Sequence, residues 1–531
     1  VSVVATADEK AGAGNPWAIA IVVSLATFME VLDTTIANVA LRYISGGLAV
    51  SADEASWVVT TYLVSNAIIL VASSFIAKRY GRRRFYMLCL ATFTIASICC
   101  GFAWNLQSLL IFRMIQGFAG GGMVPVSQSI LADSFPPSKR GQAFAMFGIA
   151  VVVAPVIGPT LGGYLSDNFS WHWCFLINGP VGALALALVY VLVQEPEKLR
   201  EEREDMRRNG IRFDLIGFVL VATFLGALEL VLDRGETEDW FDSTFIVAMT
   251  ALCVLALIVA IPWLLRKNNP VVDVRLLASR QFGACFVVML ATGAILIATT
   301  QFIPLVLQQN FGYTATWAGL ALSPGGLVTM VMMFVAGRLS SRVQPKYLIA
   351  IGMAIIAVAM WDMTRLTPDL NFSFFVWSRL YLGVGLPLIF IPITTASYDG
   401  LKPSQTDQAS ALINAARNTG GSIGVSIATN VLAHREQWHQ SQLVEHVIPS
   451  DSAYDNAFKA ATQAFVDHGS SLVNAQSQAL GWINEQVQTQ ASYLAYIDVF
   501  HVLMILSALM VPLALILRRV DLNTDEAQAA G

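Results

Sequence analysis

The sequence is short of charge. Of 531 residues, 13% are Asp, Glu, Lys or Arg and 56% are hydrophobic, whereas a soluble domain carries about 25% charged residues. At roughly 150 residues per domain the length alone would suggest three or four soluble units, but so few charges cannot coat several water-facing globules. Cysteine is sparse as well. Cys89, Cys99, Cys100, Cys174, Cys253 and Cys285 all lie in or beside apolar runs, without metal-type spacing, and read as small core residues. No Walker-type Gly-rich Lys loop, zinc-protease helix or nucleophile elbow occurs. An ATP-driven step, enzymatic activity, a metal, a cofactor and a nucleic-acid partner are therefore not expected. The alternating ~10-residue pattern of outer-membrane barrel strands is missing too.

What the chain has instead is long apolar runs. Mean hydropathy is +0.61, and runs of about 20 residues recur, each enough to cross ~30 Å of hydrocarbon as a helix. The fold class is therefore an all-α polytopic membrane protein. Fourteen spans are placed near 17–40, 55–77, 85–104, 107–132, 143–164, 173–193, 214–232, 244–265, 282–308, 315–337, 346–363, 374–398, 407–432 and 495–517. The first run is full length and reads as a span, not as a signal peptide.

With the N-terminus in the cytoplasm, the inner connections collect nearly all the cations outside the spans, among them Lys78, Arg79, Arg82, Arg83, Arg84, Lys139, Arg140, Lys198, Arg338, Lys402, Arg518 and Arg519. The outer ones hold only Arg42, Arg234, Arg365, Arg435 and Lys459. This asymmetry predicts that both termini are cytoplasmic.

Two motifs recur in order. Arg113-Met-Ile-Gln-Gly117 in the fourth span is echoed by Arg379-Leu-Tyr-Leu-Gly383 in the twelfth, and the basic connection Ala77–Arg84 by Ala336–Arg342. This aligns spans 1–6 with spans 9–14, an internal repeat of the transporter kind. The predicted organisation is an N-terminal six-helix half (1–193), a cytoplasmic linker (194–213), an inserted helix pair (214–266) and a C-terminal half (267–531). The C-terminal half includes a long, polar, Gln- and Ala-rich outer segment, 433–494, expected to be partly helical.

Charges inside spans need reasons, since each costs at least ~2.5 kcal/mol at the bilayer centre. Glu30 and Asp33, at i and i+3, share one face of the first span, roughly 20–24 Å along from Trp17 at 1.5 Å per residue. Two carboxylates this close repel when both are ionised, so either is a candidate to carry a proton near neutral pH. The alternative is a buried pair held by arginine or backbone groups.

Arg113, with Gln116 on its face, is placed to neutralise a carboxylate, either for coupling or as a static helix lock. Arg417, near Asn414 and Asn418, and Arg379 suit a cavity or a packing role equally. Glu229 and Asp233 near the outer end of span seven read as snorkelling groups, and Asp362 is read as equally bland. Asp498 and His501 share a face near the outer end of span fourteen. In span five, Pro155 and Pro159 disturb the backbone ladder, while Gly158 and Gly162 form a small-xxx-small face for close helix approach.

These residues resemble the major facilitator superfamily, in particular its 14-span drug:proton antiporters of the EmrB/QacA type. Leu32-Asp-Thr-Thr-Ile-Ala-Asn-Val-Ala-Leu41 is similar to that branch's signature, Arg113–Gly121 to the superfamily's fourth-helix motif, and Gly158-Pro159 with Gly162-Gly163 to its fifth-helix antiporter motif. Trp171–Pro180 and Leu232–Trp240 are typical of the branch. Gly81 and Arg82 keep part of the loop motif after span two, but Ser74 and Lys78 replace its usual Gly and Asp, removing the acid on which a cytoplasmic latch is built.

The resemblance implies a major facilitator fold and proton-coupled export of lipophilic or cationic compounds by alternating access. Asp33, Glu30, Arg113, Gln116, Asn414 and Arg417 would serve proton and substrate. Gly81, Arg82, Gly117, Pro155, Gly158, Pro159, Gly162, Gly163 and Arg379 would serve the conformational change. Segment 433–494 is similar to versions that work with a periplasmic membrane-fusion adaptor and an outer-membrane channel, which implies a bacterial inner membrane. The rival readings are a proton-coupled importer or exporter of one metabolite or fatty acid, and a non-transporting membrane sensor or scaffold.

Overall fold

The computed structural model describes residues 15–194, 213–267, 270–401, 405–448 and 451–520, with Arg200, Arg203, Glu204 and Arg208. Lys10, most of the 194–213 linker and Lys402 lie outside the described residues. Among those described, the regular structure is entirely helical. The helices are α1 (Pro16–Leu48), α2 (Ala52–Tyr80), α3 (Arg82–Gly101), α4 (Leu106–Ser134), α5 (Pro137–Asn168), α6 (Trp173–Leu192, broken at Ile177), α7 (Leu215–Arg234) and α8 (Thr244–Arg266). They continue as α9 (Arg280–Gln309), α10 (Ala315–Leu339), α11 (Pro345–Met363), α12 (Phe372–Ser397), α13 (Thr406–Glu445), α14 (Ser452–Asp467) and α15 (Leu472–Leu515).

Local sequence explains the helix ends. Ser51 and Glu54 form a capping box at the start of α2, and Asn105 with Ser108 does the same for α4. Pro16 stands in the first turn of α1, where its missing N–H is harmless. Between α2 and α3 a single residue turns the chain. Gly81 has φ 96°, a conformation that suits glycine, and its N–H caps Ala77 O at 2.9 Å.

Among the described residues, twelve helices are long and apolar enough to cross a membrane, and α5 makes a thirteenth if its 43° bend at Pro155–Ile157 is taken as one span. The bend follows from two internal prolines, each of which removes a ladder hydrogen bond. The remaining predicted span, α13, is 40 residues long but too polar for that test, with Gln408, Asn414, Arg417 and Asn418 along it. It is packed inside the bundle, where such groups find partners, while α8 presents Leu255 and Ile258 outward at 60% and 62% exposure, as a lipid-facing helix does.

Packing repeats with an offset of eight helices. α1 lies on α5, α2 on α4 and α3 on α4; α9 lies on α13, α10 on α12 and α11 on α12. The two sets meet chiefly where α5 lies along α10, and also where α13 touches α2 and α4. α7 packs on α8, α2 and α13.

The outer segment departs from the predicted boundaries. α13 does not stop near 432 but runs to Glu445, α14 fills 452–467, and α15 starts at Leu472 rather than near 495. Ala, Gln and Glu sustain helix as well as apolar residues do, so the helices continue past the apolar runs that define spans. Asp498 ties the base of this extension, accepting from Arg435 Nε at 2.5 Å and contacting His439 Nε2 at 2.8 Å. Its predicted neighbour His501 is exposed and faces Ile497 O instead.

Candidate functional site

α1 brings Glu30 and Asp33 to one side, and α4 brings Arg113 and Gln116, again three residues apart. Arg113 Nη1 donates to Asp33 Oδ2 at 2.6 Å and to Gln116 Oε1 at 2.9 Å. Gln116 Nε2 completes the ring by donating to Asp33 Oδ1 at 2.9 Å. Both side chains of the ion pair are wholly buried. Asn178, at the broken start of α6, adds a third donor to Asp33 at 2.7 Å and is itself held by Ser97 at 3.0 Å. Arg113 Nε donates to Val58 O at 3.1 Å, and its guanidinium lies 4.3 Å from the Tyr62 ring centre. Charge-assisted donors satisfy the carboxylate on several sides, as an ion in hydrocarbon requires.

Glu30 shares the helix face of Asp33 but not its partners. It accepts from Tyr62 Oη and Asn66 Nδ2, each at 3.2 Å, and sits within electrostatic reach of Arg417 of α13. The two carboxylates are therefore divided between different sets of neighbours. Glycine makes this possible. A Cβ on Gly117 would come 2.5 Å from Tyr62 O, and one on Gly121 would overlap Asn66 O. Only the bare α4 backbone lets α2 come close enough to deliver Tyr62 and Asn66 to Glu30.

The second set of predicted residues falls in two places. Arg417 Nε and Nη2 lie 3.3 and 3.2 Å from Asn418 Oδ1. Asn414 does not join the carboxylates. Its Nδ2 donates to Gln128 Oε1 of α4 at 2.6 Å, and Ser410 Oγ reaches Gln128 Oε1 and Pro125 O, both at 3.0 Å. These contacts tie α4 to α13 nearer the α13 start, where Phe144 also stacks on Tyr398 at 6.0 Å. The predicted cavity lining is accordingly closed off: Glu30, Asp33, Arg113, Gln116, Asn414 and Arg417 are all buried.

Among the conformational-motif residues, Gly158 and Gly162 lie against Thr35 and Ile36, so α5 meets α1 through this pair. Gly163 meets nothing within 4 Å and is not part of that contact. Arg82 pairs with Asp133 near the end of α4. Arg379 is buried, with Gly325 of α10 packed on its backbone.

The snorkelling reading does not hold for Glu229, whereas Asp233 is exposed near the end of α7 as that reading requires. Glu229 is 5% exposed and accepts from Ser422 of α13 at 2.6 Å, and Asp233 accepts from Thr60 of α2. Neighbouring Arg234 is clamped by Asp53 and Ser56 at 2.6 Å each. The inserted pair packs on the bundle, so Glu229 and Arg234 find protein instead of the interface.

Asn178, Tyr62, Asn66, Gln128 and Ser410 escape sequence reasoning, being uncharged and, unlike Gln116 and Asn414, more than a turn from any arginine inside a span. The usable signal was Asn178-Gly-Pro180 inside an apolar span, where a polar side chain sits at a helix break.

The Major Facilitator Superfamily model matches residues 23–425. The chain is 37% identical to the multidrug export protein EmrB of Escherichia coli, over 90% of this chain and 91% of that one. It is 34% identical to the fatty acid resistance protein FarB of Neisseria gonorrhoeae, over 94% and 96%. Among solved structures, the proton:xylose symporter XylE shares the fold at 13% identity, covering 92% of this chain and 94% of that one with a TM-score of 0.59. The chain belongs to the Major Facilitator Superfamily, and with its polytopic helical fold it is a membrane transport protein and not an enzyme.

Proposed function

We propose that this chain is a proton-coupled multidrug efflux antiporter of a bacterial inner membrane. The observation that carries the reading is the fully buried Asp33–Arg113 pair at the meeting of α1, α4 and α6. A proton arriving from the acidic outside neutralises Asp33 or Glu30 and weakens its hold on Arg113 or on a cationic drug. Substrate is released outward and the return conformation is favoured. Exchange follows because proton and substrate differ in their affinity for the two states.

The moving bodies are the halves 1–193 and 267–531, with 214–266 as an inserted pair. Both termini are cytoplasmic and no cofactor takes part. Multidrug export by the relative EmrB supports the substrate class. Residues 433–494 form the contact for a periplasmic adaptor and, through it, an outer-membrane channel. FarB favours a second reading, export of one class of lipophilic acid such as fatty acids. Replacing Asp33 by Asn abolishes proton-driven uptake into inside-out vesicles on the first reading; uptake at the native rate in Asp33→Asn removes Asp33 from the mechanism.

A further inference from the structure

Three arginines fall inside predicted spans and are buried, and two of them have an acid nearby. Arg113 pairs with Asp33, and Arg417 lies within electrostatic reach of Glu30. Arg379 has none. It is 5% exposed, its Nε and Nη1 are buried without a hydrogen-bond partner, and among the described residues no carboxylate pairs with it.

Its direction follows from the helix. Trp377 and Tyr381, two residues to either side, are exposed at 58% and 40% and face lipid. A two-residue step turns a helix by about 200°, so Arg379 points the other way, into the bundle. Its backbone is fixed by Gly325 of α10, where a Cβ would come 2.6 Å from Arg379 O, and by Gly383, where a Cβ would come 2.5 Å from Gly325 O.

The internal repeat explains the missing partner. Arg379–Gly383 in α12 repeats Arg113–Gly117 in α4, and α9 stands to α12 as α1 stands to α4. α1 supplies Asp33. α9, α10 and α12 contain no Asp or Glu, and α11 has only Asp362 one residue from its end. A guanidinium left without an anion in hydrocarbon is unfavourable, and its planar edge of donors matches a carboxylate or sulfonate.

We propose that Arg379 is the binding site for the acid group of an amphipathic organic anion, whose apolar tail lies among the surrounding side chains. This deepens the transport reading and rests on it only in making that anion a cargo.

The test uses the full chain in lipid nanodiscs, with empty nanodiscs as the baseline for partitioning. The probes are decanesulfonate, whose charge does not vary with pH, decanol and decyltrimethylammonium. Decanesulfonate is expected to bind at least tenfold more tightly than decanol, Arg379→Gln to abolish that preference, and Arg379→Lys, which keeps the charge without the fork, to retain part of it. Equal binding of decanol and decanesulfonate by the native chain overturns the proposal, as does a preference unchanged within twofold in Arg379→Gln. If Arg379→Gln does not fold, the native comparison and Arg379→Lys decide. Failure of the native chain to move any probe against a proton gradient would count against the transport reading alone, and the binding arms would still decide the site.

Discussion

Asn178 donates to Asp33 across 2.7 Å, joining the break in α6 to the middle of α1. The bond makes the sixth span part of the same polar cluster as Arg113 and Gln116, and Ser97 of α3 holds the amide in place from behind. Four helices thus converge on one carboxylate.

Loss of this amide leaves Asp33 with two donors. Removing one partner of a buried hydrogen bond costs about 1–3 kcal/mol, so Asn178→Ala should fold with a modestly lowered thermal midpoint and impaired efflux. Asn178→Asp places a second acid beside Asp33 and should be worse than Ala in both assays. A thermal-shift series on purified variants, run beside a dye-efflux assay, checks the order.

Gly117 and Gly163 are predicted to differ sharply although both belong to motifs. A Cβ at 117 runs into the α2 backbone, while one at 163 meets open space. Gly117→Val should destabilise by about 1–3 kcal/mol, as overpacking does, and displace Tyr62 and Asn66 from Glu30. Gly163→Ala should leave efflux within twofold of native. Equal effects of the two would contradict the packing account.

Gln128, Ser410 and Asn414 tie α4 to α13. Gln128→Ala removes both side-chain bonds at once. Interhelical hydrogen bonds in membranes are each worth about 0.6 kcal/mol, so the seam should loosen by roughly 1 kcal/mol, a several-fold rise in the opened population. Labelling of a cysteine placed at Ala411 by a membrane-impermeant thiol reagent, added from the cytoplasmic side, should speed up by that factor in Gln128→Ala.

Glu229 is buried on the inserted pair and accepts from the Ser422 hydroxyl, and no cation pairs with it among the described residues. The neutral isostere should be well tolerated: Glu229→Gln keeps the bond to Ser422, while Glu229→Ala strands that hydroxyl and destabilises by about 1 kcal/mol. Thermal midpoints of the two variants separate these outcomes.

The helical fold was legible because each span is an apolar run bounded by cap or turn residues, and Arg113 could be matched to a carboxylate because an intramembrane charge demands a counter-ion. Segment 433–494 was expected to be partly helical and is, but the apolar runs did not show that α13 continues unbroken past residue 432 and α15 begins before 495, where Gln and Ala carry the helix without hydropathy. Pairing was also hidden. Asn414 and Arg417 are one turn apart, yet Asn414 bonds Gln128 of α4 while Arg417 bonds its neighbour Asn418, and no periodicity encodes which helix each one meets. Glu229 was misplaced for a related reason. Depth along a helix was readable, but the identity of the helix packed against it was not.

Proton release on substrate binding tests the central claim most directly. Purified protein in weakly buffered detergent at neutral pH, titrated with a lipophilic cation, should release protons to the medium in proportion to occupancy, because cation and proton compete for Asp33 or Glu30. Asp33→Asn should release few or none. Saturable binding of the cation with no proton release from the native chain, or undiminished release from the variant with Asp33 and Glu30 both made amides, would contradict proton exchange at this site.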